Sequence, residues 1–132
     1  MNKIMALDVG TKRIGIALSD YLQVIAVPHS CIARTPETKA INDIIKIAND
    51  NRVNKIIVGL PKNMDGTEGF QAEDCKNFAQ KILGFDIIYE DERLTSHEAE
   101  ERLRERRIDF RKNKGLVDIE SACVILEQYL RR

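Results

Sequence analysis

The sequence predicts an α/β fold in which one mixed β-sheet is flanked by helices. The chain has 132 residues, which suits one domain with a single core, so residues 1–132 are expected to form one domain. Hydrophobic residues make up 43% and charged residues 32% of the chain, as in globular proteins. The spacing of apolar residues changes several times between the period of a strand and that of a helix, and this alternation predicts the α/β class.

The first quarter of the chain predicts three strands in a meander. Lys3–Val9 and Arg13–Ser19 both have strand character, and the short link between them contains Gly10, which suits a hairpin. A third strand is predicted over residues 23–27 and is expected to end at Pro28. His29 would then lie in a loop on the surface.

The middle of the chain alternates helix and strand. Apolar residues at helical spacing predict a helix over residues 37–51, and a β-branched run predicts a strand over residues 55–60. A second apolar stripe, from Phe70 to Leu83, predicts another helix that Gly84 ends. Residues 85–90 return to strand character.

Two further helices are predicted at the end of the chain. Residues 95–98 have the form of a capping box, which predicts a helix from there to about Arg107. A last apolar stripe predicts a helix over residues 119–130. Three meander strands followed by helix, strand, helix, strand and helices match the ribonuclease-H-like architecture, with a five-stranded mixed sheet flanked by helices.

Composition limits the cellular setting of the protein. Lys and Arg number 21, as do Asp and Glu, so the formal net charge is +0 and any nucleic-acid surface must be local. The longest apolar stretch, residues 122–126, is too short for a membrane span. The acidic residue Asp8 comes before the apolar region of a signal peptide could form. We expect a soluble cytoplasmic protein without a membrane partner. The three cysteines show no metal-site spacing and are expected to be reduced and mostly buried.

Asp8 is the first candidate functional residue. It lies in an otherwise apolar strand just before a Gly turn, on the same face as Ile4 and Ala6. An unpaired carboxylate in a strand interior is costly, and a bound cation would offset that cost. A solvated Asp at the mouth of a hairpin is the alternative.

Acidic residues also follow the last predicted strand, over residues 90–92. Such a cluster suits Mg²⁺, which prefers carboxylate oxygen ligands. A solvated acidic turn is the alternative, and strand alternation alone leaves open whether Asp91 or Glu92 faces Asp8. Asp118 precedes the last apolar stripe, where it either caps that helix or binds a metal beside the positive helix end.

Charge is unevenly distributed near the end of the chain. Residues 84–101 contain seven acids and one Arg, whereas residues 102–114 contain seven bases and two acids. The basic segment suits sequence-independent contact with phosphates. Salt bridges on the surface of the predicted helix are the alternative. The candidate phosphate-binding residues in this segment are Arg106, Arg107, Arg111, Lys112 and Lys114.

Four segments of the sequence together resemble the YqgF/RuvX family over nearly the whole chain. They are residues 7–15 (LDVGTKRIG), 59–67 (GLPKNMDGT), 91–96 (DERLTS) and 114–118 (KGLVD). The resemblance implies a ribonuclease-H-like nuclease related to the resolvase RuvC, acting on pre-16S rRNA or on Holliday junctions. It also implies an acidic catalytic and metal-binding triad of Asp8, Glu92 and Asp118.

The implied chemistry is phosphodiester hydrolysis with Mg²⁺ or Mn²⁺ at a two-metal site. Two such ions activate water on one side and stabilise the leaving oxygen on the other, with Asp8 as the bridging ligand. Residues expected near the nucleic-acid backbone are Thr11, Lys12, Arg13, Asn63 and Arg93. Pre-rRNA is the favoured substrate and branched DNA the alternative. The protein would be a monomer for RNA trimming or a homodimer for paired junction cuts.

Two other function classes fit parts of the sequence. Asp8–Thr11 also resembles the first phosphate-binding turn of actin-like and sugar-kinase ATPases, but those enzymes close two such domains around ATP. A chain of 132 residues supplies one such domain. The other class is a non-catalytic RNA-binding factor, in which the three acids have structural roles.

Overall fold

The computed structural model describes residues 2–92 and 95–132 and contains one five-stranded mixed sheet. The strands, in chain order, are β1 (Lys3–Val9), β2 (Arg13–Ser19), β3 (Ala26–Ala33), β4 (Val53–Leu60) and β5 (Asp86–Asp91). Their order across the sheet is β3-β2-β1-β4-β5. The first three strands are antiparallel neighbours, whereas β1, β4 and β5 run parallel. The predicted meander and mixed sheet are therefore confirmed.

Helices cover both faces of this sheet. They are α1 (Glu37–Asp50), α2 (Phe70–Ala79), α3 (Thr95–Glu105) and α4 (Gly115–Leu130). One core lies between the sheet and α1 with α2, and the other lies between the sheet and α4. Met5 and Leu7 of β1 belong to the first core, while Ile4 and Ala6 belong to the second. Asp8 continues the second set, so it shares the face of Ile4 and Ala6 as predicted, and α4 covers that face.

The third strand differs from its prediction over residues 23–27. It spans Ala26–Ala33 and passes through Pro28, which is tolerated because β3 is an edge strand and its register with β2 shifts beside this residue. Gln23 has a left-handed backbone (φ 57°) in the turn before the strand. His29 therefore lies in a strand rather than a loop, although it is exposed.

The second helix is shorter than its apolar stripe predicts. It ends at Ala79, and both outer members of the stripe, Phe70 and Leu83, are exposed, by 84% and 75%. Within the helix, Ala72, Cys75, Phe78 and Ala79 are buried, and Ile82 of the same stripe reaches the core from beyond the helix end. Apolar spacing located this helix correctly but overestimated its buried face.

The capping box predicted at residues 95–98 is not formed. Thr95 already lies inside α3, its N–H donates to the carbonyl oxygen of Glu92 at 3.0 Å, and its buried hydroxyl has no hydrogen-bond partner. Over the described ranges, every helix is too short or too polar to cross a bilayer.

Candidate active site

One cavity at the carboxyl ends of the parallel strands is lined by Asp8, Glu92 and Asp118, together with Asp74 of α2. Asp8 is the second-last residue of β1, Glu92 directly follows β5, and Asp118 lies in the first turn of α4. The cavity has a volume of about 530 Å³. Parallel strands end at the same sheet edge, where α/β proteins commonly bind ligands, and this shared edge explains why residues so distant in sequence meet.

Two glycines flank Asp8 across the sheet. Gly15 on β2 is the registered partner of Asp8, and Gly59 on β4 follows Val58, the partner of Leu7. A Cβ atom at Gly59 would lie 2.6 Å from Glu92 Oε2, so the Glu92 carboxyl group occupies the space above this glycine. The missing side chain at Gly59 allows the two acids to approach each other across β4.

The glycine on the other side of Asp8 brings α4 close to the sheet. A Cβ atom at Gly15 would overlap the carbonyl oxygen of Asp118 and lie 2.9 Å from the backbone nitrogen of Ile119. The backbone of the first α4 turn therefore rests directly on β2. This contact fixes the height of Asp118 above the sheet.

Asp8 and Glu92 form a desolvated pair that shares a hydrogen bond. Burial, followed by the charge of Asp118, raises the pKa of Asp8 from 3.8 to about 6, and the hydrogen bond from Glu92 opposes this rise. Burial, followed by the negative charge of Asp8, raises the pKa of Glu92 from 4.5 to about 9. The pair therefore keeps a proton to a higher pH than two separate carboxyl groups would.

The structure separates the three neighbouring acids at the end of β5. Glu90 is buried and paired with Arg132, and Asp91 lines a different, open cavity near the chain end. Glu92 lines the same cavity as Asp8 and shares its hydrogen bond. This geometry favours Glu92 over Asp91 as the partner of Asp8.

Asp118 is not the cap of the last helix. The helix α4 begins at Gly115, so Asp118 lies within its first turn and its carboxylate is free to take another partner. That partner is Arg13, whose Nε donates to Asp118 Oδ2 at 2.8 Å. In the described part of the chain, no three His, Cys, Asp or Glu side chains are grouped closely enough to hold a metal ion.

The turn between β1 and β2 is held in place by Arg34, which is 8% exposed. Arg34 donates to the Gly10 carbonyl oxygen at 3.0 Å and to both Asp74 carboxylate oxygens at 2.6 and 2.9 Å. The backbone N–H of Arg34 also donates to the Lys12 carbonyl oxygen at 3.0 Å. These bonds fix the turn that follows Asp8 relative to α2.

The residues predicted to contact nucleic acid near the site have different environments. Thr11 is exposed and lines the cavity, and Lys12 is exposed on the same turn. Asn63 instead donates to Thr67 Oγ1 at 2.9 Å within its own loop. Arg93 lies outside the described residues.

The basic segment is partly engaged in ion pairs. Arg106 binds the buried Glu120 at 2.8 Å, and Arg111 binds Asp109 at 3.2 Å. The remaining candidates are exposed, namely Arg107, Lys112 and Lys114. The alternative of salt bridging therefore accounts for part of this segment.

Sequence reasoning missed four residues of this site. His97, which is exposed, lines the cavity together with Lys62. Gly15 and Gly59 were not assigned a role. Glycines inside strands are unfavourable and signal a close approach, so these two carried a signal, whereas His97 had none.

The fold has counterparts among solved structures of resolvases. The Fowlpox virus resolvase, solved with Holliday junction DNA, matches with a TM-score of 0.60 and 12% identity over 98% of this chain and 97% of that one. RuvC from T. thermophilus, also solved with a Holliday junction substrate, matches with the same score and identity over 98% and 94%. This chain therefore shares the ribonuclease-H-like fold of these two structures.

Sequence comparison then identifies the family. The profile of the family described as "RuvX: Holliday junction resolvase" matches residues 2–132. Relatives with the provisional name pre-16S rRNA nuclease include one from Anaeromyxobacter sp. (strain K), which is 40% identical over 98% of this chain and 97% of its own length. Another, from Clostridioides difficile (strain 630), is 40% identical over 97% and 93%. The chain belongs to the RuvX family of nucleases.

Proposed function

We propose that the protein is a divalent-metal-dependent endonuclease that hydrolyses phosphodiester bonds of a precursor of 16S rRNA. The observation that carries the proposal is the meeting of Asp8, Glu92 and Asp118 in one cavity, where the Glu92 carboxyl group lies over Gly59 on the strand next to Asp8. The provisional name of the relatives supports RNA as the substrate. Membership of the RuvX family supports hydrolysis of a nucleic acid.

The three acids are the proposed ligands of Mg²⁺ or Mn²⁺. Their oxygen donors suit these hard cations, and desolvated carboxylates gain most from a positive charge placed between them. Asp8 lies between Glu92, over Gly59 of β4, and Asp118, over Gly15 of β2, so these three carboxyl groups would hold the ions. When bound, such ions supply Lewis acidity that lowers the pKa of water and stabilises charge on the leaving oxygen.

The chain's own groups have separate tasks in this reaction. Asp8 and Glu92 must lose their shared proton before both can act as ligands. The cavity is also lined by Lys62, Thr11 and the first turn of α3 at His97. These groups would bind phosphate oxygens of the nucleic acid. Since one such site per chain is sufficient to trim an RNA end, a monomer can perform the proposed reaction.

The proposal is tested by a cleavage assay with two substrates. An end-labelled RNA carrying the 5′ extension of 16S rRNA and a labelled four-way DNA junction are incubated with the protein in Mg²⁺, Mn²⁺ or EDTA. We expect metal-dependent cleavage of the RNA at discrete positions and none in EDTA. Glu92→Gln should be inactive, while Glu73→Gln on the exposed face of α2 should retain wild-type activity.

Each outcome of this assay bears on the proposal. Cleavage of both substrates only in the presence of metal would support the nuclease but reject RNA specificity. Cleavage by Glu92→Gln at the wild-type rate would reject the acidic site. No cleavage of either substrate, by protein that is folded and binds RNA, would favour a non-catalytic RNA-binding factor.

The second candidate function is resolution of Holliday junctions. The family description and the two resolvase structures favour it. A resolvase makes paired, symmetric cuts and therefore needs two active sites related by a twofold axis. Symmetric nicks in the junction, together with a dimer in sedimentation equilibrium, would favour this function over RNA processing.

The exposed residues of the basic segment should contribute to RNA affinity. Replacing Arg107, Lys112 and Lys114 together by Gln should weaken RNA binding about tenfold at moderate salt, because fewer counterions are released on binding. The slope of log K against log salt should become shallower by about 2, since each phosphate contact contributes about 0.7 for a single strand. Fluorescence anisotropy in EDTA measures both quantities.

A matched triple variant controls for the change of net charge. Lys39, Lys46 and Lys81 lie on or beside α1, on the other face of the sheet from α4, and their replacement by Gln removes the same charge. Its salt slope should equal that of the wild type. Equal slopes for both triple variants would show that residues 107–114 form only a solvated surface.

A further inference from the structure

The ion pair between Arg13 and Asp118 occupies one of the proposed metal ligands. Arg13 Nε lies 2.8 Å from Asp118 Oδ2, and Cys31 Sγ lies 3.9 Å from the same oxygen. With this contact in place, the three acids do not form a closed ligand group, although all of them line the same cavity. Asp118 is drawn towards β2, while Asp8 and Glu92 bind each other.

The position of Arg13 allows it to exchange partners. Arg13 is the first residue of β2, and its side chain is 39% exposed, whereas that of Asp118 is 21% exposed. A partly exposed ion pair contributes little stability, so an incoming phosphate can compete for the guanidinium group. Arginine binds phosphate through several parallel hydrogen bonds, a geometry that the single Nε contact to Asp118 does not use.

We propose that Arg13 is a positioning residue that holds Asp118 in the free protein and releases it when a phosphate of the nucleic acid binds the guanidinium group. The inference rests on the proposed function, because it takes Asp118 as a metal ligand. Release of Asp118 completes the ligand group only when nucleic acid is present. Nucleic acid and divalent cation should therefore bind with positive coupling, and each should raise the affinity for the other by the same factor.

The main test measures cation affinity without nucleic acid. Mn²⁺ is titrated by calorimetry into the wild type and into Arg13→Gln. Since the variant leaves Asp118 free, its dissociation constant for Mn²⁺ should be about fivefold lower than that of the wild type. Lys39→Gln removes the same charge from an exposed side chain of α1, on the other face of the sheet, and should change Mn²⁺ affinity by less than about twofold.

A double-mutant cycle separates the ion pair from a general charge effect. Asp118→Asn should weaken Mn²⁺ binding, and adding Arg13→Gln to it should cause no further change, because the partner of Arg13 is already absent. If Arg13→Gln strengthens Mn²⁺ binding equally in both backgrounds, the effect is simple charge removal and the inference is wrong.

The coupling is measured with a 12-nucleotide single-stranded RNA and with Ca²⁺ in place of Mn²⁺, and gel electrophoresis verifies that the RNA stays intact. In the wild type, RNA should increase Ca²⁺ affinity about fivefold, whereas in Arg13→Gln the increase should vanish and RNA binding itself should weaken. If RNA raised Ca²⁺ affinity equally in both proteins, the proposed role of Arg13 would be wrong, whereas the proposed metal site would stand. Unchanged Mn²⁺ binding by Asp8→Asn and Asp118→Asn would instead overturn the proposed metal site.

Discussion

Replacing Asp8 by Asn should reduce the kcat of metal-dependent cleavage about a thousandfold. Loss of the central ligand removes several kcal/mol of transition-state stabilisation, and about 4 kcal/mol corresponds to this factor. Asn has the same shape, so the packing between Gly15 and Gly59 should be kept. Single-turnover cleavage of the labelled RNA measures the effect.

The same variant should be more stable than the wild type at neutral pH. The folded protein holds Asp8 with a pKa of about 6, above its ordinary value of 3.8, so the protonated form favours folding. This stabilisation is fully present below about pH 4 and is lost as the pH rises through about 6. In EDTA at pH 7, Asp8→Asn should therefore gain about 1 to 3 kcal/mol, and the gain should disappear near pH 4.

The control for Asp8→Asn is a surface aspartate. Asp43 forms an exposed pair with Lys39 on α1, and Asp43→Asn should leave activity unchanged and stability within about 0.5 kcal/mol. Urea unfolding at several pH values distinguishes the two variants. If Asp8→Asn cleaves RNA normally, or if its stability gain is the same at pH 4 and pH 7, the assignment of Asp8 as a desolvated active-site acid is wrong.

The spacing of apolar residues was sufficient to predict the strands that lie inside the sheet. The bounds of β1 and β2 match their predictions because both strands are central or near-central and their apolar residues pack on either face. The third strand was misplaced because an edge position, which tolerates Pro28, is a property of the whole sheet. Exposure of Phe70 likewise depends on what packs against α2.

The candidate site was predictable in its acids but not in their partners. Asp8 and Asp118 stood out as carboxylates beside apolar segments, and the resemblance to a family selected Glu92. The pairing of Asp118 with Arg13, and of Arg106 with Glu120, depends on how α4 lies against β2 and α3. No spacing rule within one element contains that information.

Replacing Gly15 by Ala should damage both the fold and the site. The added Cβ atom would overlap the backbone of Asp118 and Ile119, and backbone cannot move aside as the end of a flexible side chain can. Overpacking of this kind costs about 3 kcal/mol or more, which corresponds to a fall in Tm of roughly 10 °C for a chain of this size. Any folded molecules would have α4 displaced, so Asp118 would be too far from Asp8 for both to bind the same metal ions.

Gly69→Ala is the matched control for this substitution. A Cβ atom at Gly69 would meet Asn63 at 3.5 Å, an ordinary contact, and its φ of −110° is open to alanine. Thermal unfolding and cleavage should both be near wild type for Gly69→Ala and strongly impaired for Gly15→Ala. Near-wild-type behaviour of Gly15→Ala would mean that α4 does not rest on β2 at this point, and that the height of Asp118 above Asp8 is set by some other contact.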